Sequence, residues 1–254
     1  MNLLKRIVFE HVLPITGKIF RKKNKFINVI YYHDIVKGEG YKSQKTNIEL
    51  FKKHMQYIVD NGYSTYTFDD LDRDENILYQ KKSVLITFDD GWRSNYTEIF
   101  EYMKDKKIKY NIFLECKNVG ENDEYLTWDM VREMYASGIV GFGAHTYSHP
   151  DMSDISRIDP EKEFSFANEK IKRETGISPK DFCYPFGKWS ESSNEYIVSN
   201  TDYTRVYTSS MLYSYMQKGK IIFGRSSING DFSFNVFKNM LKGNYNAYGI
   251  LKRN

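Results

Sequence analysis

Short apolar runs alternate with amphipathic stretches along nearly the whole chain. Runs at 26–32, 64–68, 84–88, 108–114, 139–144, 181–184, 203–208 and 220–224 are rich in Val, Ile, Phe and Tyr and read as eight strands. Between them fall helical patterns. Thr46-Asn47-Ile48-Glu49 has the form of a capping box ahead of a stripe at Phe51, Met55, Ile58 and Val59, which Asn61-Gly62 stops. Residues 69–82 read as an acidic loop and 95–104 as a helix. Thr127 caps a helix with Trp128, Val131, Met134 and Tyr135 on one side. Asp159-Pro160 opens a long helix with Phe164, Ala167 and Ile171 inward, ended by Gly176. Residues 191–198 form a further helix, and Phe234, Phe237, Met240 and Leu241 mark the last. Strands alternating with helices predict a parallel sheet, either a closed β/α barrel or an open doubly wound sheet.

That topology gathers residues that are scattered in sequence. His33 follows the first strand, Asp89 and Asp90 the third, His145 the fifth, Pro185-Phe186-Gly187 the sixth and Arg225 the eighth. In a parallel sheet or barrel these strand ends share one face. Neighbouring strand residues point to opposite faces, so Asp89 and Asp90 must sit where the strand stops, and Gly91 permits the turn. His145 and His149 stand four apart, a spacing that lets two imidazoles share a metal on a helical turn. With Asp90 they give two nitrogens and one oxygen, the donor set of a catalytic metal site. His33 on the same face is a candidate proton donor, with Asp34 either orienting it or forming a plain turn.

Composition narrows the class without naming a substrate. The 254 residues are 41% hydrophobic and 16% aromatic, enough for one large core and unlike a disordered chain. A net charge of +4 without a long basic block gives no sign of a nucleic-acid partner. Cys116 and Cys183 form neither a disulfide framework nor a thiolate metal motif, and they read as buried strand residues. Residues 1–25 mix Leu3, Leu4, Ile7 and Val8 with Lys and Arg, a poor signal peptide. This segment reads either as a basic amphipathic element making peripheral membrane contact or as an ordinary helix packed on a domain at 26–254. The expected location is accordingly cytoplasmic or peripheral to a membrane rather than secreted.

Together these pieces resemble the polysaccharide deacetylase family, the NodB-homology domain of carbohydrate esterase family 4. Thr87-Phe88-Asp89-Asp90-Gly91 matches its first motif, and His145-Thr146-Tyr147-Ser148-His149, followed by Pro150, its second. The resemblance covers roughly 26–254 and implies an α/β fold, a single distorted (β/α) barrel. It implies Asp89 as general base and Asp90, His145 and His149 as ligands of a divalent metal, commonly zinc, with cobalt or nickel as alternatives. The third motif is present as Tyr184-Pro185-Phe186-Gly187, which implies that Phe186 N–H serves an oxyanion, but its usual arginine is replaced by Cys183. No histidine follows residue 187; Val29-Ile30-Tyr31-Tyr32-His33 lies near the front instead. That order resembles the circularly permuted branch containing poly-β-1,6-N-acetylglucosamine deacetylases, where His33 would be the general acid and Trp128 would help wall the acetyl pocket. The implied reaction is hydrolysis of the acetamide of an N-acetylated glycan to acetate and free amine. The competing readings are hydrolysis of another non-peptide C–N bond and a catalytically silent carbohydrate-binding module. Since Cys183 carries no positive charge, Arg225, ending the last strand, is expected to pair with Asp89, with Asp231 as its competing partner.

Overall fold

The computed structural model describes residues 8–19, 25–38, 44–230 and 232–246. Its strands are β1 (Asn28–Tyr32), β2 (Asp34–Val36), β3 (Lys45–Asn47), β4 (Ser64–Thr65), β5 (Ser83–Phe88) and β6 (Tyr110–Leu114). They continue with β7 (Val140–Ala144), β8 (Asp181–Cys183), β9 (Arg205–Tyr207), β10 (Tyr215–Gln217), β11 (Lys220–Phe223) and β12 (Arg225–Ser227). The central sheet runs β10-β11-β9-β8-β7-β6-β5-β1-β12, with β4 beside β5. Every pairing in it is parallel except β10 with β11. The protein is therefore mixed α/β around a parallel sheet.

The two ends of that sheet are one stretch of chain. β11 pairs with β9, and β12, one residue later, pairs with β1. Gly224 makes the break: a Cβ there would fall 2.2 Å from the Leu212 carbonyl oxygen. The hydrogen-bonded ladder is open at this point while the backbone runs through it. Side-chain alternation divides the apolar residues accordingly. Val29, Leu85, Phe113, Cys183, Tyr207 and Phe223 pack together inside the curl. Ile30, Ile86, Ile112, Phe142, Phe182 and Val206 face the surrounding helices. Room inside is made by β7: a Cβ on Gly143 would come within 2.8 Å of the Phe113 ring and of the Asp181 carbonyl.

At the N-terminal ends of the strands the interior is closed by a buried ion pair. Arg205 donates from Nε and Nη2 to Asp181 at 2.7 and 2.6 Å, and Tyr207 Oη donates to the same carboxylate at 2.8 Å. At their C-terminal ends the sheet carries the residues of chemical interest, so the two poles of the curl differ in role.

Several local expectations are corrected. Thr46 lies in β3, and Asn47 is the cap of helix Ile48–Asp60, its Oδ1 accepting from Glu49 and Leu50 N–H at 2.8 and 3.2 Å. The buried stripe of that helix includes His54, whereas Val59 is 42% exposed. The strand at 64–68 is only two residues long, because Thr67 caps a helix at Phe68–Arg73 where an acidic loop was expected. The helix at 95–104 breaks into Ser94–Thr97 and Phe100–Asp105; Ile99 leaves helical geometry at φ −123°, which lets adjacent Ile99 and Phe100 both be buried. β2, β3, β10 and β12 lack an apolar run and were not expected. Asp231 lies outside the described residues.

Candidate active site

Asp89 and Asp90 separate by backbone geometry. Leu85, Thr87 and Asp89 continue the inward face of β5, and Asp89 N–H still bonds to Tyr32 O of β1 at 3.0 Å. Asp90 adopts φ +75°, a left-handed conformation uncommon outside glycine, which throws its carboxylate across the mouth instead of outward. Among the described residues, four of the seven non-glycine residues with positive φ are Asp90, Thr146, His149 and Phe186, so backbone strain is concentrated here.

The histidines come from the turn after β7. His145 Nδ1 lies 2.7 Å from Cys183 O; a carbonyl only accepts, so Nδ1 carries the proton and Nε2 is left with its lone pair. Thr146 Oγ1 accepts from His149 N–H at 3.0 Å and closes the turn. Buried Glu163 binds the outside of it, accepting from Tyr147 and Ser148 N–H at 3.1 and 2.8 Å and from Ser148 Oγ at 2.6 Å. This brace was not anticipated; its only sequence sign is an acid next to the inward position Phe164.

Asp90, His145 and His149 converge tightly. His145 Nε2 and His149 Nε2 lie 3.4 and 3.3 Å from Asp90 Oδ1 and 3.2 Å from each other. Donors held about 2.1 Å from a tetrahedral ion stand roughly 3.4 Å apart, so the triangle matches one face of such a site. Among the described residues Asp90 Oδ1 has no hydrogen-bond partner, an orphaned buried acceptor of the kind a cation satisfies. Asp90 Oδ2 is fixed by the indole N–H of Trp92 at 3.0 Å, and Trp92 stacks on Tyr125 at 4.7 Å. The donor set fits a divalent metal. Trp92, immediately after Gly91, is the tryptophan that the sequence reading overlooked.

Asp89 meets a different partner. Arg225, fully buried, grips it in two-pronged fashion: Nη1 to Oδ1 and Nη2 to Oδ2, both 2.7 Å. The guanidinium is itself held by Thr208 O at 3.1 Å, Thr87 Oγ1 at 3.1 Å and Cys183 Sγ at 2.8 Å, and lies over the Tyr31 ring at 4.2 Å. Burial alone would push the Asp89 carboxyl up, but Arg225, with smaller help from His145 and His33, holds the group below the usual carboxylate range. His33 Nε2 stands 3.9 Å from Asp89 Oδ2, ion-pair reach but beyond a hydrogen bond. Burial lowers the His33 pKa, against the opposing pull of Asp89. Asp34 does not orient His33; it accepts from Ser94 Oγ at 2.7 Å and pairs with Lys45 at 3.3 Å.

A cavity of about 200 Å³ opens above these groups, lined by His33, Asp89, Asp90, His145, His149, Phe186 and, at its rim, Tyr31, Gln44, Ser209, Ser227 and Asn229. Phe186 is 60% exposed, and its ring meets His149 at 4.3 Å. Tyr184, Pro185 and Trp128 do not line this cavity. Tyr184 is buried with its hydroxyl on Asn194 at 3.1 Å, and Pro185 is buried beneath the turn. Trp128 packs against Gly120, with Lys170 Nζ 5.7 Å from its ring. Each was expected at the pocket because of its place in a motif; within the 184–187 turn Phe186 alone is exposed, and Trp128 sits apart from it at the start of the helix Trp128–Ala136.

Residues 77–206 match the family described as polysaccharide deacetylase. YxkH of Bacillus subtilis (strain 168), named as a polysaccharide deacetylase, is 28% identical over 167 residues, 65% of this chain and 58% of that protein. A peptidoglycan-N-acetylglucosamine deacetylase of Bacillus cereus is 31% identical over 128 residues, 47% of this chain and 44% of that protein. A poly-beta-1,6-N-acetyl-D-glucosamine N-deacetylase of Staphylococcus aureus (strain MRSA252) is 25% identical over 174 residues, 66% and 58% of the two chains. The chain thus spans about half the length of the curated relatives it matches. Among solved structures, BC0361, a polysaccharide deacetylase from Bacillus cereus, superposes with a TM-score of 0.70 at 25% identity, covering 85% of this chain and 69% of that one. IcaB from Ammonifex degensii shares the fold, with a TM-score of 0.68 at 21% identity over 87% of this chain and 97% of that one.

Proposed function

The chain belongs to the polysaccharide deacetylase family, and we propose that it removes acetyl groups from the acetamides of an N-acetylated glycan, releasing acetate and leaving a free amino sugar. The observation that carries this reading is the division of labour between two adjacent carboxylates. Asp90 faces two imidazoles at ligand spacing, while Asp89 faces an arginine and a histidine. Curated relatives named as deacetylases of peptidoglycan and of poly-beta-1,6-N-acetyl-D-glucosamine support the substrate class.

Asp90, His145 and His149 would hold a divalent ion, for which zinc is the proposed identity. Such an ion, when bound, supplies Lewis acidity toward the amide carbonyl and toward water. Asp89, ionised and aimed by Arg225, takes a proton from the attacking water as its oxygen bonds to the acetamide carbon. The Phe186 N–H donates to the oxyanion that develops on the carbonyl oxygen. His33, within ion-pair reach of Asp89 Oδ2, delivers a proton to the sugar nitrogen as the C–N bond breaks. General acid assistance of this kind is worth on the order of 10²- to 10⁴-fold in rate. The exposed Phe186 ring offers an apolar face to a sugar ring at the cavity rim.

The test is acetate and free-amine release by the zinc-loaded protein from a panel of β-1,4- and β-1,6-linked N-acetylglucosamine oligomers and peptidoglycan fragments, with an N-formyl analogue alongside. Equimolar acetate and amine from at least one acetylated member is the expected result. Turnover of the formyl analogue alone would transfer the activity to another C–N bond, and binding without any turnover would make the chain a silent carbohydrate-binding module.

A further inference from the structure

The N-terminal helix is fixed on the domain in one rotation, and that rotation leaves an apolar stripe outside. The helical stretch Val8–Val12 and Leu13–Ile19 is held at one end by Phe9, which stacks on Phe232 at 5.1 Å and Tyr245 at 4.9 Å. Tyr245 Oη also donates to Phe9 O at 2.9 Å. At the other end Gly17 approaches Asn244 so closely that a Cβ would fall 1.9 Å from its carbonyl oxygen. With Phe9 and Gly17 inward, Val8, Val12 and Ile15 face out, 40%, 46% and 57% exposed, at the four- and three-residue spacing of one helical stripe.

The surroundings of that stripe are cationic. Beside Ile15 a hollow of about 420 Å³ carries Lys238 and Lys242 against one acid, Glu10. Lys242 also borders a second hollow, of about 470 Å³, with Lys25, Lys81 and Lys82 and the ring of Tyr79, itself 57% exposed. Residues 1–25 contain seven Lys or Arg against Glu10 alone. Apolar side chains, an exposed tyrosine and clustered lysines on one flank are the composition of a surface that sits in a headgroup layer. Among the described residues no helix is long and apolar enough to cross a membrane.

We propose that this flank docks on an anionic lipid bilayer, with Val8, Val12 and Ile15 entering the interface and the lysines pairing with lipid phosphates. The charge complementarity selects this occupant over a neutral protein partner. The second hollow opens at Asn28 and Ser83, the first residues of β1 and β5. Asp89 and His33 follow the last residues of those strands, so the docked protein keeps its catalytic mouth free for a glycan.

The experiment is co-sedimentation of the full chain with vesicles of pure phosphatidylcholine and of phosphatidylcholine with 30% phosphatidylglycerol (about 0.05 and 0.3 M salt). Binding to the anionic vesicles only, weakened by salt, is expected. Val12→Asp with Ile15→Asp, both at exposed positions, should abolish it while acetate release from a soluble oligomer and thermal stability stay unchanged. Lys81→Gln with Lys82→Gln should weaken partitioning roughly thirtyfold, at about a tenfold loss for each 1.4 kcal/mol and about 1 kcal/mol per lysine. No binding, equal binding to both vesicle types, or binding indifferent to these variants overturns the proposal. So does light scattering showing that the stripe instead joins two copies, with self-association abolished by the aspartates.

Discussion

Removing the Arg225 guanidinium tests how Asp89 is kept ionised. The pair is buried, and its two 2.7 Å contacts put the charge centres about 4 Å apart. At an effective dielectric near 20 that is roughly 4 kcal/mol of attraction favouring the carboxylate. Without it, burial is the main influence left on Asp89 and acts in the opposite direction. In Arg225→Ala the acid limb of kcat/KM should therefore move to higher pH, since a base must be deprotonated to act. The fold should lose about 3 to 5 kcal/mol because a buried charge is left unpaired. Arg225→Lys keeps a charge but loses the fork, and should shift the limb less than alanine does. The assay is the pH–rate profile of acetate release, with bound metal measured on the same samples. An acid limb that stays in place in a folded, metal-loaded Arg225→Ala protein would refute the pairing as the source of Asp89's ionisation.

Three further outcomes are expected. Asp181→Ala should destabilise the fold by roughly 3 kcal/mol in denaturant titration, because it removes the buried carboxylate that holds Arg205 and leaves the guanidinium only the more exposed carboxylate of Asp72, while sparing the kcat of the folded fraction. His54 is buried on Phe237 with only Tyr32 Oη at 3.1 Å, and burial lowers its pKa to about 3. Below the unfolded value near 6.5 the unfolded chain takes up a proton that the native one refuses, so stability falls with pH, by about 2 kcal/mol at pH 5. His54→Gln should flatten that slope in acid unfolding curves; an unchanged slope counts against it. Glu163→Ala should weaken metal affinity about 10- to 100-fold in chelator competition by freeing the 145–149 turn, and wild-type affinity would show that the turn holds itself.

The apolar periodicity made the main strands and the longer helices legible, because burial on both faces of a parallel sheet leaves continuous runs of Val, Ile and Phe. Strand-end logic likewise brings His33, Asp89, Asp90, His145 and Arg225 near one another, since parallel strands deliver their C-terminal ends to one mouth. β12 escaped because Arg225-Ser226-Ser227 has no apolar signature and is specified only by its pairing with β1. Trp92 and Glu163 escaped for a related reason: each acts through a long-range hydrogen bond set by tertiary placement. Trp128 and Tyr184 show the converse, residues inside recognisable motifs whose side chains turn away because of strained or packed neighbours. Val59 and His54 exchanged places on one helix because a polar ring stacked on Phe237, with Phe234 alongside, is buried as readily as an aliphatic one.

The central claim is that adjacent Asp89 and Asp90 do different work, and a zinc titration of Asp89→Asn and Asp90→Asn against a competing chelator tests it most directly. The account predicts one zinc per chain at near wild-type affinity in Asp89→Asn, despite turnover reduced to a small residue, and loss of high-affinity zinc in Asp90→Asn. Full zinc occupancy in Asp90→Asn, or loss of zinc in Asp89→Asn, would contradict it.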